Sequence, residues 1–362
     1  MLVVIHFSEV KMELKNKIDS TIGAMLNIRA GAINEKDKCP ISIIDINKWE
    51  WAQGVGMYGL YRFCEASGDK ARLSFLKDWY SARISEGLPE KSVNCCAPLL
   101  TLTFIHEGKQ EYLDIIEEFA EWLMNDLVRT EEGGFTHSGT GVVCSGELWD
   151  DTLFMAVLFL ARAGIIFDRR DWIDETKRQF LLHIKYLTEL KTGLFYHGWS
   201  FNRLDHFAGA LWGRGNAWLT VAIPDYIDIL ADKLEAPVKD VLLSSLGRQI
   251  EALANYQDES GGWHTLVNEK ESYLEMSATA GFCYGILKSV RMGYVDNRYL
   301  EVGMRGLKSL TDNIDEDGIV HNVSYGTALK DNLDYYRNIR ITPMTYGQAL
   351  AVLAMSEGVK VD

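Results

Sequence analysis

The sequence predicts an all-α fold, an (α/α)6 barrel of six helical hairpins closed into a ring, on three observations. Apolar residues recur at three- and four-residue intervals through Tyr112–Leu127, Leu153–Ala163, Ala217–Leu234, Val241–Tyr256 and Ala278–Val290. Strand-like alternation is scarce. A short phrase also returns between helices: EEGGFTH, LKTGLFYH, ESGGWHT and DEDGIVH. Each runs from a polar lead-in through a glycine and an apolar or aromatic residue to a histidine.

The phrase glycines Gly134, Gly193, Gly262 and Gly318 recur at roughly sixty residues, one helical hairpin with its two connections. A chain of 362 residues holds about six such units. Closed into a ring, they leave a funnel lined by loops from one end. A solenoid of helix pairs has the same period but offers an open concave face instead of a pocket.

Length alone allows two or three domains, but only six prolines occur and no Ser/Gly/Pro-rich linker interrupts the chain. One catalytic domain over residues 1–362 is expected, with residues 1–20 as a loose N-terminal extension. The net charge of −14, without a run of Lys or Arg, argues against nucleic acid or an anionic membrane as partner. Cys39, Cys64, Cys95, Cys96, Cys144 and Cys283 show no C-x-x-C spacing, which fits reduced thiols in the cytoplasm. The opening MLVVIHF lacks the basic and small-residue features of a signal peptide, and nothing approaches the ~18–20 apolar residues of a membrane span. Either a monomer or a homodimer fits.

Along the chain, indoles gather where loops meet helices. Trp49 and Trp51 stand in KWEWAQGVGMYGLY, Trp149 in LWDD, Trp199 in FYHGWS, Trp212 and Trp218 in LWGRGNAW, and Trp263 in GGW. Flat aromatic faces beside planar polar side chains suit sugar rings, whose C–H faces stack while their hydroxyls hydrogen-bond. GVGMYG (Gly54–Gly59) satisfies G-x-G-x-x-G, yet no strand precedes it, so its glycines are expected to allow close helix packing. No H-E-x-x-H occurs and the eight histidines are dispersed, so no metal is implied.

SGELWDDTLFMAVLFLARAG starts polar and ends as a greasy helix, with Asp150 and Asp151 in its opening turn. Capping and the helix dipole account for one acid. The second needs another reason. In LWGRGNAW, Arg214 lies between two glycines before the expected helix Ala217–Leu234, a setting for gripping a carboxylate in two-pronged fashion.

WEWAQGVGMYGLY, VNCCAPLLTL, GGFTH, LWDDTLFMA, FYHGWS, WGRGNAW, ESGGWHTLVNEKESYLEMSATA and YYRNIRITPMTYGQALAVLA together resemble, in order, the motifs of glycoside hydrolase family 105. That family contains unsaturated rhamnogalacturonyl hydrolases and is related to the unsaturated glucuronyl hydrolases of family 88. The resemblance runs from about Trp49 to Ala354. It implies the six-hairpin glycosidase barrel and a catalytic role for Asp151, with Met155 one turn later and Asp150 as a capping or solvated neighbour. It also implies that His137, His197, Trp212, Arg214 and Trp218 line the sugar site, with Trp149 and Asn216 from the same segments. Trp51 and Gln53 match a first-hairpin segment near it. Related glucuronyl hydrolases carry an aspartate at the second hairpin where this chain has Asn94, so a pair of cooperating carboxylates is not expected.

The implied substrate is a lyase-generated oligosaccharide ending in a 4,5-unsaturated uronic acid, first among them the unsaturated rhamnogalacturonan disaccharide. Disaccharides from glycosaminoglycan or ulvan are the alternative. Its C4=C5 bond is a vinyl ether: protonation at C4 and water addition at C5 need one group that is first acid and then base. Asp151 suits this role if its pKa is raised; Arg214 would hold the uronate carboxylate. No cofactor is implied. Sugar epimerases and ordinary glycosidases share the barrel, and a non-catalytic sugar-binding barrel would keep the aromatic funnel without turnover.

Overall fold

The computed structural model describes residues 2–28, 44–139 and 141–361, with side chains in the first span from residue 12 onward. In chain order the helices are α1 (Leu2–Asn27), α2 (Trp51–Ser67), α3 (Lys70–Ser85), α4 (Val93–Ile105), α5 (Gln110–Asn125), α6 (Leu158–Ile166) and α7 (Arg170–Leu187). They continue with α8 (Gly213–Leu230), α9 (Ala236–Tyr256), α10 (Met276–Arg291), α11 (Leu300–Asp312), α12 (Leu333–Arg337) and α13 (Thr345–Gly358).

Helices α2, α4, α6, α8, α10 and α13 pack each on the next, and α13 packs back on α2, closing the ring. Around them α3, α5, α7, α9 and α11 each cover the inner helix they follow. The division is written in the side chains. Helix α4, VNCCAPLLTLTFI, buries all but Asn94 and Phe104, as an inner helix must. Outer α5 buries only one stripe, Tyr112, Ile116, Phe119, Ala120 and Leu123, and turns its acids to solvent.

The sixth outer position is filled by α1, which lies against α13. Leu14, Ile18, Ile22 and Met25, spaced by three and four residues, form its buried stripe. The loose extension expected over residues 1–20 is therefore helical from Leu2, and from Leu14 onward it is part of the barrel wall. The glycines of GVGMYG do serve close packing. A Cβ at Gly54 would lie 2.5 Å from the Pro98 backbone nitrogen of α4, and one at Gly59 would lie 2.9 Å from the Ala349 carbonyl of α13.

At one end of the ring the four glycine phrases fold into the same turn. Gly133, Gly193, Gly261 and Gly318 all have φ between 82° and 90°, a left-handed conformation that glycine adopts without strain. In the first and third phrases the turn uses the earlier glycine of each pair, not Gly134 or Gly262. The residue two places after each turn glycine, Phe135, Phe195, Trp263 or Val320, is buried, and its N–H is held by a helix side chain. Those acceptors are Gln179 at 2.8 Å, Asn216 at 2.8 Å, Thr279 at 3.1 Å and Gln348 at 2.7 Å. The repeat is thus a structural device: one polar side chain pins each loop to the ring.

Candidate active site

Two short antiparallel pairs shape the loop end: β1 (Ser138–Gly139) with β2 (Val142–Val143), and β3 (Glu147–Trp149) with β4 (Gly198–Ser200). The register of the second pair sets Trp149 opposite Gly198, and the Asp150 N–H donates to the His197 carbonyl at 3.1 Å. Three residues beyond Asp150 the chain enters a π-helical turn, Leu153–Val157, before α6. Such turns widen a helix locally, and they occur often at functional sites.

A cavity of about 390 Å³ opens at this end, with Asp151 on its wall. Trp51, Asn94, His137, Trp149, Met155, Trp212 and Arg214 also line it, so most of the residues singled out from the sequence converge. His137 and Trp149 stack face to face, centroids 4.5 Å apart and planes 3° from parallel. The Trp149 indole N–H donates to Glu147 at 2.8 Å, and His137 Nδ1 lies 3.0 Å from the Thr152 hydroxyl. Trp51 stacks on Tyr346 at 4.7 Å.

The two adjacent acids differ in kind. Asp151 reaches the cavity with 16% of its side chain exposed. Asp150 is wholly buried and neither of its oxygens has a hydrogen-bond partner. It caps nothing and touches no solvent, contrary to the role expected for it. Its carboxyl occupies the space a side chain at Gly215 would need. Oxygens of both acids and a ring nitrogen of His197 lie within 4.8 Å of one another.

Burial pushes the Asp150 carboxyl well above the usual carboxylate range, and the neighbouring charge of Asp151 adds to the shift. Burial works to raise Asp151 as well, but the polar contacts of His197 and Asp150 outweigh it and hold Asp151 low. The proton of the pair therefore sits on Asp150. The sequence left the pKa of Asp151 open and offered no second carboxyl at the second hairpin; the structure holds Asp151 low and sets a buried acid, the next residue in the chain, beside it. Burial also lowers His197, and it brings His137 down to about 4, so both imidazoles are neutral at pH 7. Cys144, on the cavity wall, is pushed up to about 11 by burial and by Glu147, which leaves it a thiol rather than a nucleophile.

His197 stands behind Asp151 and outside the cavity lining, 2% exposed, with Nε2 3.6 Å from Asp151 Oδ2. Arg214 lies inside the first turn of α8, which starts at Gly213 rather than Ala217. Its guanidinium donates to the Ser277 hydroxyl at 3.3 Å and to the Ser324 and Tyr325 carbonyls and the Thr327 hydroxyl at 3.0 Å each. Glu275 lies 3.9 Å away. The side chain expected to hold a substrate carboxylate lines the cavity and ties down the segment Tyr325–Ala328, part of its wall.

Three expected binding residues stand back from the cavity. Asn216 spends its amide on the N–H and carbonyl of Phe195, at 2.8 Å each, as one of the loop pins. Gln53 donates to the Asp45 carbonyl at 2.7 Å, a similar task on α2. Trp218 is fully buried against Phe154 and Trp51. Trp49 and Trp263 are core indoles bonded to the carbonyls of Cys95 and Leu253.

Sequence reasoning missed the wall Tyr325–Ala328, the hairpin residues Gly139 and Val142, and Tyr336 of α12, which bonds to His197. The available signal was the period: a fourth glycine phrase, DEDGIVH, demands a following loop at the same end of the ring as the others.

The Glycosyl Hydrolase Family 88 profile matches residues 28–361. The chain is 32% identical over 317 residues to the unsaturated rhamnogalacturonyl hydrolase YesR of Bacillus subtilis, spanning 86% of this chain and 90% of that protein. It is 25% identical over 323 residues to the unsaturated 3S-rhamnoglycuronyl hydrolase of Alteromonas, over 85% and 76% of the two chains. Among solved structures, a possible member of the GH105 family from Klebsiella pneumoniae superposes with a TM-score of 0.91 at 40% identity, over 96% of this chain and 93% of that one. A Salmonella enterica counterpart gives 0.92 at 40%, over 97% and 94%.

Proposed function

Because the chain belongs to Glycosyl Hydrolase Family 88, we propose that it removes a 4,5-unsaturated uronic acid from the non-reducing end of lyase-generated oligosaccharides. The unsaturated rhamnogalacturonan disaccharide is its first substrate, in keeping with the likeness to YesR. The observation that carries the reading is the carboxyl pair at the cavity: Asp151 faces the space a sugar ring would fill, and a buried acid directly behind it holds a proton.

In this scheme the ring lies against Trp51 and Trp212, with C4 toward Asp151. The Asp150 proton passes to Asp151 and from there to C4, leaving an oxocarbenium-like cation at C5. Water adds at C5 and returns its proton to Asp151. The C5 hemiketal opens the ring, and the hemiacetal then formed at C1 releases the aglycone. One residue is acid and then base, a role worth ~10²–10⁴-fold in such enzymes. In this reading His137 and Asn94, both on the cavity wall, bond ring hydroxyls, and Arg214 serves by fixing the wall that meets the substrate.

We read the described chain as one catalytic unit, since the cavity draws its lining from residues 51 to 328. We place it in the cytoplasm: the five cysteines among the described residues are free, Cys39 lying outside them. Among the same residues no helix is long and apolar enough to cross a membrane.

Hydration destroys the ultraviolet absorbance of the conjugated enol ether, so loss of that absorbance tests the function directly. Disaccharides made by lyases from pectin, glycosaminoglycan and ulvan are compared, with the fastest loss expected on the pectin product. Loss on another product alone would reassign the aglycone, and no loss on any would remove the activity.

A further inference from the structure

The hydroxyl of Tyr336 lies 2.8 Å from His197 Nδ1 and 3.3 Å from the backbone nitrogen of Lys330. The backbone N–H can only donate, so the hydroxyl accepts from Lys330, and among the described residues its own hydrogen has no acceptor but His197. Nδ1 must then be the acceptor. Burial keeps the imidazole neutral, so its one proton resides on Nε2, the nitrogen 3.6 Å from Asp151 Oδ2. That gap lies just beyond hydrogen-bond range, and such contacts shorten when substrate fills a site. The ring is held in place by Trp212 at 4.3 Å and Trp149 at 5.6 Å.

We propose that Tyr336 is a positioning residue that fixes the tautomer of His197, so that Nε2–H is presented to Asp151. The proposal rests on the hydrolase reading of the cavity. With the other tautomer, Nε2 would aim a lone pair at the Asp151 carboxylate. The repulsion would turn the carboxylate away from C4. Tyr336 comes from α12, in the connection between the fourth glycine turn and α13, so this segment contributes to turnover and not only to the cavity wall.

The test is Tyr336→Phe, which keeps the ring and removes the hydroxyl. Nitrogen-15 NMR of the imidazoles reads the tautomer. The wild type is expected to show His197 protonated on Nε2, and Y336F a mixture of both forms. Turnover should fall about 10- to 100-fold while KM stays within about twofold, because substrate contacts are untouched. In a His197→Gln background, where no tautomer remains to be set, Y336F should change kcat by less than about twofold. A variant with wild-type kcat, or one that slows while His197 remains wholly Nε2–H, overturns the proposal, and so does a full second loss in the glutamine background. Because NMR reads the tautomer without substrate, failure of the assigned activity would leave this part of the test intact.

Discussion

Asp150 and Asp225 are exposed by 0% and 1%, and each belongs to the ring interior, yet their surroundings are opposite. Asp225 lies on α8, about 16 Å along the axis from Arg214 and away from the loops. It accepts from the Tyr58 and Tyr284 hydroxyls at 2.7 Å each and from Lys288 at 2.6 Å. Tyr58 comes from α2, on the far side of the ring, and the other two from α10, so the carboxylate ties opposite walls together. Burial works to raise its pKa, but Lys288 and Arg62 overcome that and hold it low. Asp150 has none of this: no donor reaches its oxygens, and it keeps its proton. A buried charge with its partners supplied is architecture. A buried acid without them keeps its proton, a perturbation of the kind that clusters at functional sites.

The contrast breaks most directly at the cavity. Asp151→Asn removes the group that touches the substrate and should cost at least ~10²–10⁴ in turnover, with binding of the unsaturated disaccharide retained. Stopped absorbance assays beside equilibrium binding check it; near-normal turnover would take Asp151 out of the mechanism. At the other centre, Asp225→Asn leaves Lys288 buried with half its compensation and should destabilise by about 3–5 kcal/mol. Denaturant unfolding measures that loss, and turnover of the surviving folded protein should hardly change. If the mutant proved as stable as the wild type, the interior centre would not be architectural.

Arg214 lines the cavity but, like Asp225, is bound by protein groups. Its guanidinium hydrogen-bonds to Ser277 and to the Ser324–Thr327 segment and lies over the rings of Trp212 and Tyr346. Arg214→Lys cannot reproduce that fan of donors. The wall it secures should loosen and KM rise about tenfold, with a smaller change in kcat. An unchanged KM would show that the wall holds without it.

How much of this was legible beforehand follows from what sequence periodicity encodes. The ring was readable because hairpins repeat and inner helices are apolar all round, and the place of Asp151 at the cavity because its surrounding motif is specific. Asp150 was not. A capping acid and a stranded acid look identical in a sequence, and only the fit of its carboxyl over Gly215 separates them. Asn216 and Gln53 were misread for a related reason: a planar amide beside an indole suits a sugar or a backbone equally, and here the backbone of a neighbouring loop claims it. Tyr336 meets His197 across 139 residues, a pairing that no local pattern carries.

The smallest expected effect is also the one that separates the two acids by sign. In the unfolded chain Asp150 titrates near ~3.9, while in the folded chain it stays protonated to much higher pH. Below both values the proton is bound in either state and burial of the acid carries no linkage cost. As pH rises past the unfolded value, only the unfolded chain ionises, so stability is lost progressively up to the folded value. Asp150→Asn cannot ionise in either state. It should therefore raise the melting temperature at pH 7 by about 1–3 °C, with the gain fading toward pH 4. Turnover should drop by about tenfold, because the amide cannot hand a proton to Asp151. Asp225 runs the other way. Its folded pKa is lowered, so its stabilisation is present above the ordinary carboxylate value and is lost as pH falls through the folded one. The penalty of Asp225→Asn should accordingly shrink in acid. Melting curves followed from pH 7 to pH 4 for Asp150→Asn, and on to about pH 2 for Asp225→Asn, would then approach the wild type from opposite sides; a destabilised Asp150→Asn at pH 7 would mean that the buried carboxyl is held by the fold after all, and the division between the two centres would fail.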